Sequence, residues 1–284
     1  MPKILDGKKV AEEIRNEVKL EVSELRKKGI NITLAVIQVG DNPASSVYVK
    51  NKRRDCERCN IDSKSYELPE DVSQGELLSL IEDLNNDTDV NGILVQLPLP
   101  AHINEQLVIE SISPIKDVDG FHPENLGRLV IGDDGFVPCT PAGIIELLKR
   151  SGIDIAKKEC VVIGRSNIVG KPLAMLLLRE NGTVTVAHSK TRYLKRVCKR
   201  ADILIAAIGK QELIDKSYLK KGAVVVDVGI NRNDLGKLVG DVNFGDVSDT
   251  VSAISPVPGG VGPMTRAMLL VNCIKATKIQ EGTM

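Results

Sequence analysis

Short aliphatic runs alternate with longer, charged, amphipathic stretches from one end of this chain to the other. Strands covered on both faces read as unbroken Val/Ile/Leu, while the helices covering them are apolar along one stripe only, so the alternation predicts parallel strands separated by helices. Strands are predicted over residues 33–39, 92–96, 159–163, 183–187, 203–206 and 223–228. A first helix is predicted over 7–28, closed by Gly29; a second begins after Pro43 and carries Tyr48 and Lys52; a third covers 141–150 and ends near Gly152.

Between residues 255 and 265 the pattern gives way to S-P-V-P-G-G-V-G-P-M-T, in which six of eleven residues are proline or glycine. Proline fixes φ and glycine carries no Cβ, so this run predicts a stiff loop with bare backbone at Gly259 and Gly260 that ligand atoms can approach. Pro263 suits the first turn of a helix, and Met264, Ala267, Met268 and Val271 continue at helical spacing. The third helix is followed by a fresh strand and a second glycine loop, which places a domain change near residue 140. The expected architecture is a two-domain α/β fold. Residues 1–140 form a substrate domain, 141–262 a Rossmann-like nucleotide domain, and a final helix over 263–284 packs back on the first and leaves a cleft.

Composition narrows the function. Lys plus Arg and Asp plus Glu are 38 each, a balance that points to neither nucleic acid nor an anionic membrane as partner. No apolar run reaches the roughly 20 residues of a membrane span, and the N-terminus lacks the apolar core of a signal peptide, so a cytoplasmic protein is expected. The six cysteines are scattered, and Cys56 and Cys59, though spaced C-x-x-C, sit in a charged helical context without two further ligands, so no metal site is expected.

The segment E-C-V-V-I-G-R-S-N-I-V-G-K-P reads as strand, glycine turn and helix, the layout in which a dinucleotide pyrophosphate meets helix N–H groups. Gly164 and Gly170 do not follow the G-x-G-x-x-G spacing. About 20 residues on, where an NAD enzyme places an acid for the ribose hydroxyl, this chain has His188 and Ser189, with Arg165, Lys190 and Arg192 close in sequence. A 2′-phosphate, and hence NADP, is the better guest. The next strands end in small residues, A-A-I-G at 206–209 and D-V-G-I-N at 227–231, as befits strand ends opening on a ligand crevice.

Tyr48 and Lys52 are four apart and share one helix face. A phenol beside an amine gives the pair the means to act as acid or base near neutral pH. The strand G-I-L-V-Q-L-P-L-P presents the amide of Gln96 at a sheet edge. In K-D-V-D-G-F-H-P-E-N, Asp117 and Asp119 are carboxylates suited to paired N–H groups of a planar heterocycle. His122, followed by Pro123 and Asn125, reads as scaffold at a helix start.

Together Y-V-K-N-K, G-I-L-V-Q-L-P-L-P, K-D-V-D-G-F-H-P-E-N-L-G, P-C-T-P-A-G, V-V-I-G-R-S-N-I-V-G-K-P, H-S-K-T, D-V-G-I-N and P-V-P-G-G-V-G-P-M-T resemble the bifunctional methylenetetrahydrofolate dehydrogenase/methenyltetrahydrofolate cyclohydrolase family, in order and over nearly the whole chain. The resemblance implies that Lys52 is the catalytic lysine of the cyclohydrolase step, that Tyr48 positions folate, that Gln96 tunes the lysine and that Asp119 anchors the pterin. It further implies Leu97, Pro258, Gly259 and Gly260 against the folate, and an NADP site of Thr140, Gly164, Arg165, Ser166, Ile168, His188, Ser189, Ala207, Gly209 and Ile230. A homodimer through the cofactor domain is implied as well. The chain departs from the family at Asn243, often an acid, and Ala187, often a cysteine. Two other readings stay open: a short-chain dehydrogenase, whose Y-x-x-x-K would follow rather than precede its glycine loop, and a non-catalytic NADP sensor.

Overall fold

The computed structural model describes residues 1–283. In chain order its strands are β1 (Lys3–Ile4), β2 (Thr33–Val39), β3 (Asp62–Leu68), β4 (Gly92–Val95), β5 (Glu159–Ile163), β6 (Thr183–Ala187), β7 (Ile203–Ala206), β8 (Val224–Asp227), β9 (Asn231–Arg232), β10 (Leu238–Val239) and β11 (Ala253–Ile254). The helices are α1 (Gly7–Lys27), α2 (Pro43–Arg58), α3 (Gln74–Asn86), α4 (Glu105–Ser111), α5 (Pro123–Ile131), α6 (Cys139–Arg150), α7 (Gly170–Arg179), α8 (Leu194–Cys198), α9 (Phe244–Val247) and α10 (Val261–Gln280). The six predicted strands and four predicted helices are present, with ends shifted by up to two residues except in α10, which ends at Gln280. None of the helices among the described residues is long and apolar enough to cross a membrane.

The chain divides into two units. One comprises Met1–Glu12 and Thr140–Thr265, the other Glu13–Cys139 and Arg266–Met284. The sequence places residues 1–12 with the substrate domain, whereas the structure groups them with 140–265. The cause is β1, which pairs in parallel with β11, Lys3 opposite Ala253 and Ile4 opposite Ile254, and so becomes the edge of the other unit's sheet.

That sheet is six-stranded, all parallel, in the order β1-β11-β8-β7-β5-β6. Its inner strands are fully buried because I-L-I-A and V-V-V-D carry apolar groups on both faces. One of its cores gathers Val161, Ile163, Leu204, Val225, Val247 and Ile254. From β5 the chain goes through α7 to β6 on one side, then through α8 to β7 on the other, so the winding direction reverses at β5 and β7. Open parallel sheets bind ligands outside their strand C-termini at such a reversal.

The second unit holds a parallel sheet in the order β3-β2-β4. β2 is buried at six of its seven positions. Leu77, Ile81 and Leu84 of α3 pack with Ala35, Ile37, Ile93 and Val95. α3 starts on a full capping box, in which the Ser73 side chain takes the Glu76 N–H and Glu76 reaches back to the Ser73 N–H. The edge strand D-S-K-S-Y-E-L is polar, as an unpaired edge has to be to avoid pairing with other chains.

Candidate active site

In the second unit, α2 carries Tyr48, Lys52, Asp55 and Cys56 at spacings that bring them to one side, with Cys59 just past its end, while Gln96 follows the last residue of β4. The Gln96 N–H donates to Ile37 O at 2.8 Å, which prolongs the ladder by one residue and fixes where its side chain starts. The Lys52 Nζ donates to Gln96 Oε1 at 3.2 Å, and Gln96 Nε2 donates to Leu97 O at 2.7 Å. Lys52 is only 7% exposed. Its hydrogen-bond partner is thus Gln96 and not Tyr48. Burial pushes the Tyr48 phenol above its ordinary range, partly offset by the Arg266 guanidinium.

Asp117 and Asp119 have different uses. Asp117 is 2% exposed, and its carboxylate accepts from Gly120 N, Phe121 N, His122 N and Asn125 Nδ2 at 2.8–3.1 Å. All its acceptor capacity goes into its own turn, which corrects the expectation that it meets a heterocycle. Asp119, two residues on, borders a small pocket whose walls include Ile93, Leu97, Ile109, Ile112 and Phe121. Burial pushes its carboxyl up, and the Lys52 ammonium and a hydrogen bond from Cys139 act in the opposite direction. His122 is the N-cap of α5, its Nδ1 accepting from Glu124 N at 3.1 Å.

Two members of this neighbourhood escape sequence reasoning. Arg266 Nε donates to the buried Asp55 Oδ2 at 2.7 Å, one turn beyond Lys52. Asn272 Nδ2, from α10, donates to Val118 O at 2.8 Å and Val137 O at 3.1 Å, which clamps the strand-like stretch leading into Asp119. Burial pushes the Cys56 thiol up to about 12 and the Cys59 thiol up to about 11, so both are poor nucleophiles. A cavity of about 960 Å³ lined by Lys50, Arg53, Arg54, Glu57, Glu67 and Glu70 contains none of the predicted site residues.

In the first unit, Gly164 directly follows β5 with φ +137°, and a Cβ there would overlap Ala207 O. A Cβ on Gly170 would overlap Gly164 O and come within 2.8 Å of Arg165 N. The glycines therefore let the loops after β5 and β7 and the start of α7 close on one another at the sheet's reversal. The Ser166 hydroxyl accepts from Val169 N at 3.2 Å and Gly170 N at 3.4 Å, supplying a cap that the N-cap residue Val169 lacks. Arg165, Ser166, Ile168 and Ser189 are exposed around this opening, and Ile230 is 50% exposed. His188 is turned to its own loop: its N–H donates to Thr191 Oγ1 and its Nδ1 accepts from Lys190 N. Thr140 and Thr265 share a hydrogen bond of 2.9 Å.

The glycine-rich run is packed against the first turn of α1. The Lys8 N–H donates to Gly259 O at 3.1 Å, and a Cβ on Gly260 would stand 2.6 Å from Pro256 O. The bare backbone of Gly260 is thus required by its own loop. Gly259, at φ +110°, favours glycine on conformational grounds.

Comparisons with known proteins agree with this layout. Residues 5–119 match the family described as tetrahydrofolate dehydrogenase/cyclohydrolase, catalytic domain, and residues 138–281 match its NAD(P)-binding domain. The bifunctional protein FolD of Lachnoclostridium phytofermentans is 62% identical over 98% of this chain and 99% of its own length. The crystal structure of the bifunctional enzyme FolD, a methylenetetrahydrofolate dehydrogenase/cyclohydrolase from Campylobacter jejuni, is 52% identical, covers 98% of this chain and 99% of that one, and superposes with a TM-score of 0.96. A methylenetetrahydrofolate dehydrogenase-cyclohydrolase of Trypanosoma brucei, complexed with NADP and an inhibitor, is 39% identical over 98% of this chain and 99% of its own, with a TM-score of 0.93. With both family domains matched in order and relatives of this identity along its length, the chain belongs to the tetrahydrofolate dehydrogenase/cyclohydrolase family.

Proposed function

We propose that this protein oxidises methylenetetrahydrofolate to the methenyl form with NADP and then hydrolyses the methenyl cation to formyltetrahydrofolate. The observation that carries the reading is the buried Lys52–Gln96 pair beside Tyr48 and Asp119, in a chain of this family.

The nucleotide cradle fits a dinucleotide. Gly164 and Gly170 leave backbone where a Cβ would stand, and Ser166 lies at the start of α7. Arg165, exposed and without a protein partner among the described residues, has the charge and reach for a 2′-phosphate. Ser189 and the backbone at Ala207 and Gly209 complete the rim, with Thr140, Ile168, His188 and Ile230 as further cofactor contacts. When bound, NADP supplies a hydride acceptor; the protein has only to align the reacting rings, so this half demands no acid or base.

Hydrolysis demands proton management. Water adds to the amidinium-like methenyl carbon and loses a proton, and one of the two carbon–nitrogen bonds then breaks as its nitrogen takes a proton. Lys52, held at Nζ by Gln96 Oε1, can take the first proton and return the second. Asp119 faces the pterin edge, Leu97 and the pocket's apolar walls exclude water, and Tyr48 orients the ring system. We further propose a cytoplasmic homodimer joined through the six-stranded unit, which sedimentation would test.

The test is turnover by the purified protein. Methylenetetrahydrofolate plus NADP should yield NADPH, and methenyltetrahydrofolate alone should be hydrolysed without nucleotide. Tight binding of both ligands with no turnover would overturn the proposal.

A further inference from the structure

Asp241 is a buried carboxylate that the reaction does not use. It is 0% exposed. Its Oδ2 accepts from Ile208 N at 2.6 Å and Gly209 N at 3.0 Å, and its Oδ1 from Lys210 N at 2.9 Å and Asn231 Nδ2 at 3.0 Å. Three successive backbone N–H groups thus converge on one carboxylate. They belong to the loop that leaves β7 where the sheet's winding reverses, beside Ala207, whose carbonyl meets Gly164. Asp241 is held in turn by Asp227, 3% exposed, whose Oδ1 accepts from Asp241 N and Gly229 N and whose Oδ2 accepts from Val242 N, each at 2.9 Å. Glycines make room for both acids. A Cβ on Gly229 would overlap the Asp241 carboxylate, and one on Gly240 the Asp227 carboxylate.

We propose that Asp241 is a positioning residue for the nucleotide: its carboxylate sets the 208–210 loop and Asn231 as one preformed wall of the cofactor crevice. The inference rests on the NADP reading above. A loop with no side-chain anchor would have to be ordered by the ligand itself, which weakens binding. A carboxylate is the group suited to this task, since both oxygens accept and each has room for two donors. Asparagine, of equal shape, turns one acceptor into a donor and faces N–H with N–H.

The experiment measures NADP affinity of wild type and Asp241→Asn by calorimetry, well below the melting temperature of each, with hydrolysis of methenyltetrahydrofolate followed in the same preparations. The expected result is a dissociation constant raised roughly tenfold or more, with the rate of hydrolysis, which depends on Lys52 in the other unit, within twofold of wild type. Dehydrogenase activity should recover at saturating NADP. A variant that melts earlier but binds NADP within twofold of wild type shows a merely structural acid and overturns the inference. Should Asp241→Asn fail to fold, Asn231→Ala, which removes one of the four bonds, decides: affinity lowered about threefold or more supports the role, and unchanged affinity overturns it. Wild type that binds no NADP overturns the cofactor reading itself, and this inference with it.

Discussion

Lys52 on α2 and Gln96 at the end of β4, 44 residues apart in sequence, meet through Nζ and Oε1 at 3.2 Å. Because Gln96 Nε2 is committed to Leu97 O, its oxygen is the atom left facing the amine. The amide oxygen thus fixes where the amine stands.

Lys52→Met should therefore abolish hydrolysis of methenyltetrahydrofolate while hydride transfer stays measurable. Removing a positioned acid or base costs roughly 10²–10⁴-fold. Gln96→Leu should slow hydrolysis too, and adding it to Lys52→Met should cost little more, since residues acting as a unit are not additive. Near wild-type hydrolysis by Lys52→Met would remove the lysine from the mechanism.

The two aspartates of the D-V-D segment should separate cleanly. Asp117→Ala removes four hydrogen bonds and leaves the backbone N–H groups of Phe121 and His122 unpaired, while Gly120 N keeps Asp117 O and Asn125 Nδ2 keeps Pro114 O, at about 1–3 kcal/mol for each unpaired group that stays buried. A loss of at least about 2 kcal/mol in urea unfolding is expected. Asp119→Asn should leave the unfolding midpoint nearly unchanged and weaken folate binding. Equal stability of Asp117→Ala and wild type would contradict the turn described here.

Arg165→Ala should weaken NADP far more than NAD, because only NADP carries the extra phosphate to lose a charge-assisted contact of about 1.5–3 kcal/mol. Calorimetry with both cofactors measures the difference. Equal losses would place Arg165 on the pyrophosphate or in the scaffold.

Burial pushes the Asp227 carboxyl up to about 6, against the backbone hydrogen bonds it accepts. Carbon-13 NMR of labelled aspartate should show one carboxyl titrating near pH 6 rather than near 4. A raised folded-state pKa means the native protein holds a proton that the unfolded chain has released. On this group alone, stability is greatest below pH 4 and is lost as pH rises through 6, by roughly 3 kcal/mol at most. A midpoint near 4 would show that the N–H donors outweigh burial.

What could be read from sequence was what is local in sequence. The aliphatic strands, the glycine turn at Gly164 and the Tyr48–Lys52 spacing are each contained in a few residues. Asp55 and Arg266 meet across 211 residues, and Asp241 takes up N–H groups 31 to 33 residues before it, contacts that no short pattern encodes. β3 was missed because an edge strand needs no apolar run, and β1 because two residues carry no period. Asp117 and Asp119 look alike in sequence and differ only by where the turn points them. Asn243, a departure from the family, is the N-cap of α9, where Asn serves as well as Asp.

The pairing of β1 with β11 also sets an order of events at the ribosome. Lys3 and Ile4 are made about 250 residues before their hydrogen-bonding partners, Ala253 and Ile254. The six-stranded sheet cannot close its edge until that intervening stretch has been made, whereas β2, β3 and β4 find one another within some sixty residues of chain, between Thr33 and Val95. Non-local closure of this kind is slow. A gene fragment beginning at residue 140 would retain the glycine cradle and still leave β11 with a bare flank, open to any other strand that reaches it.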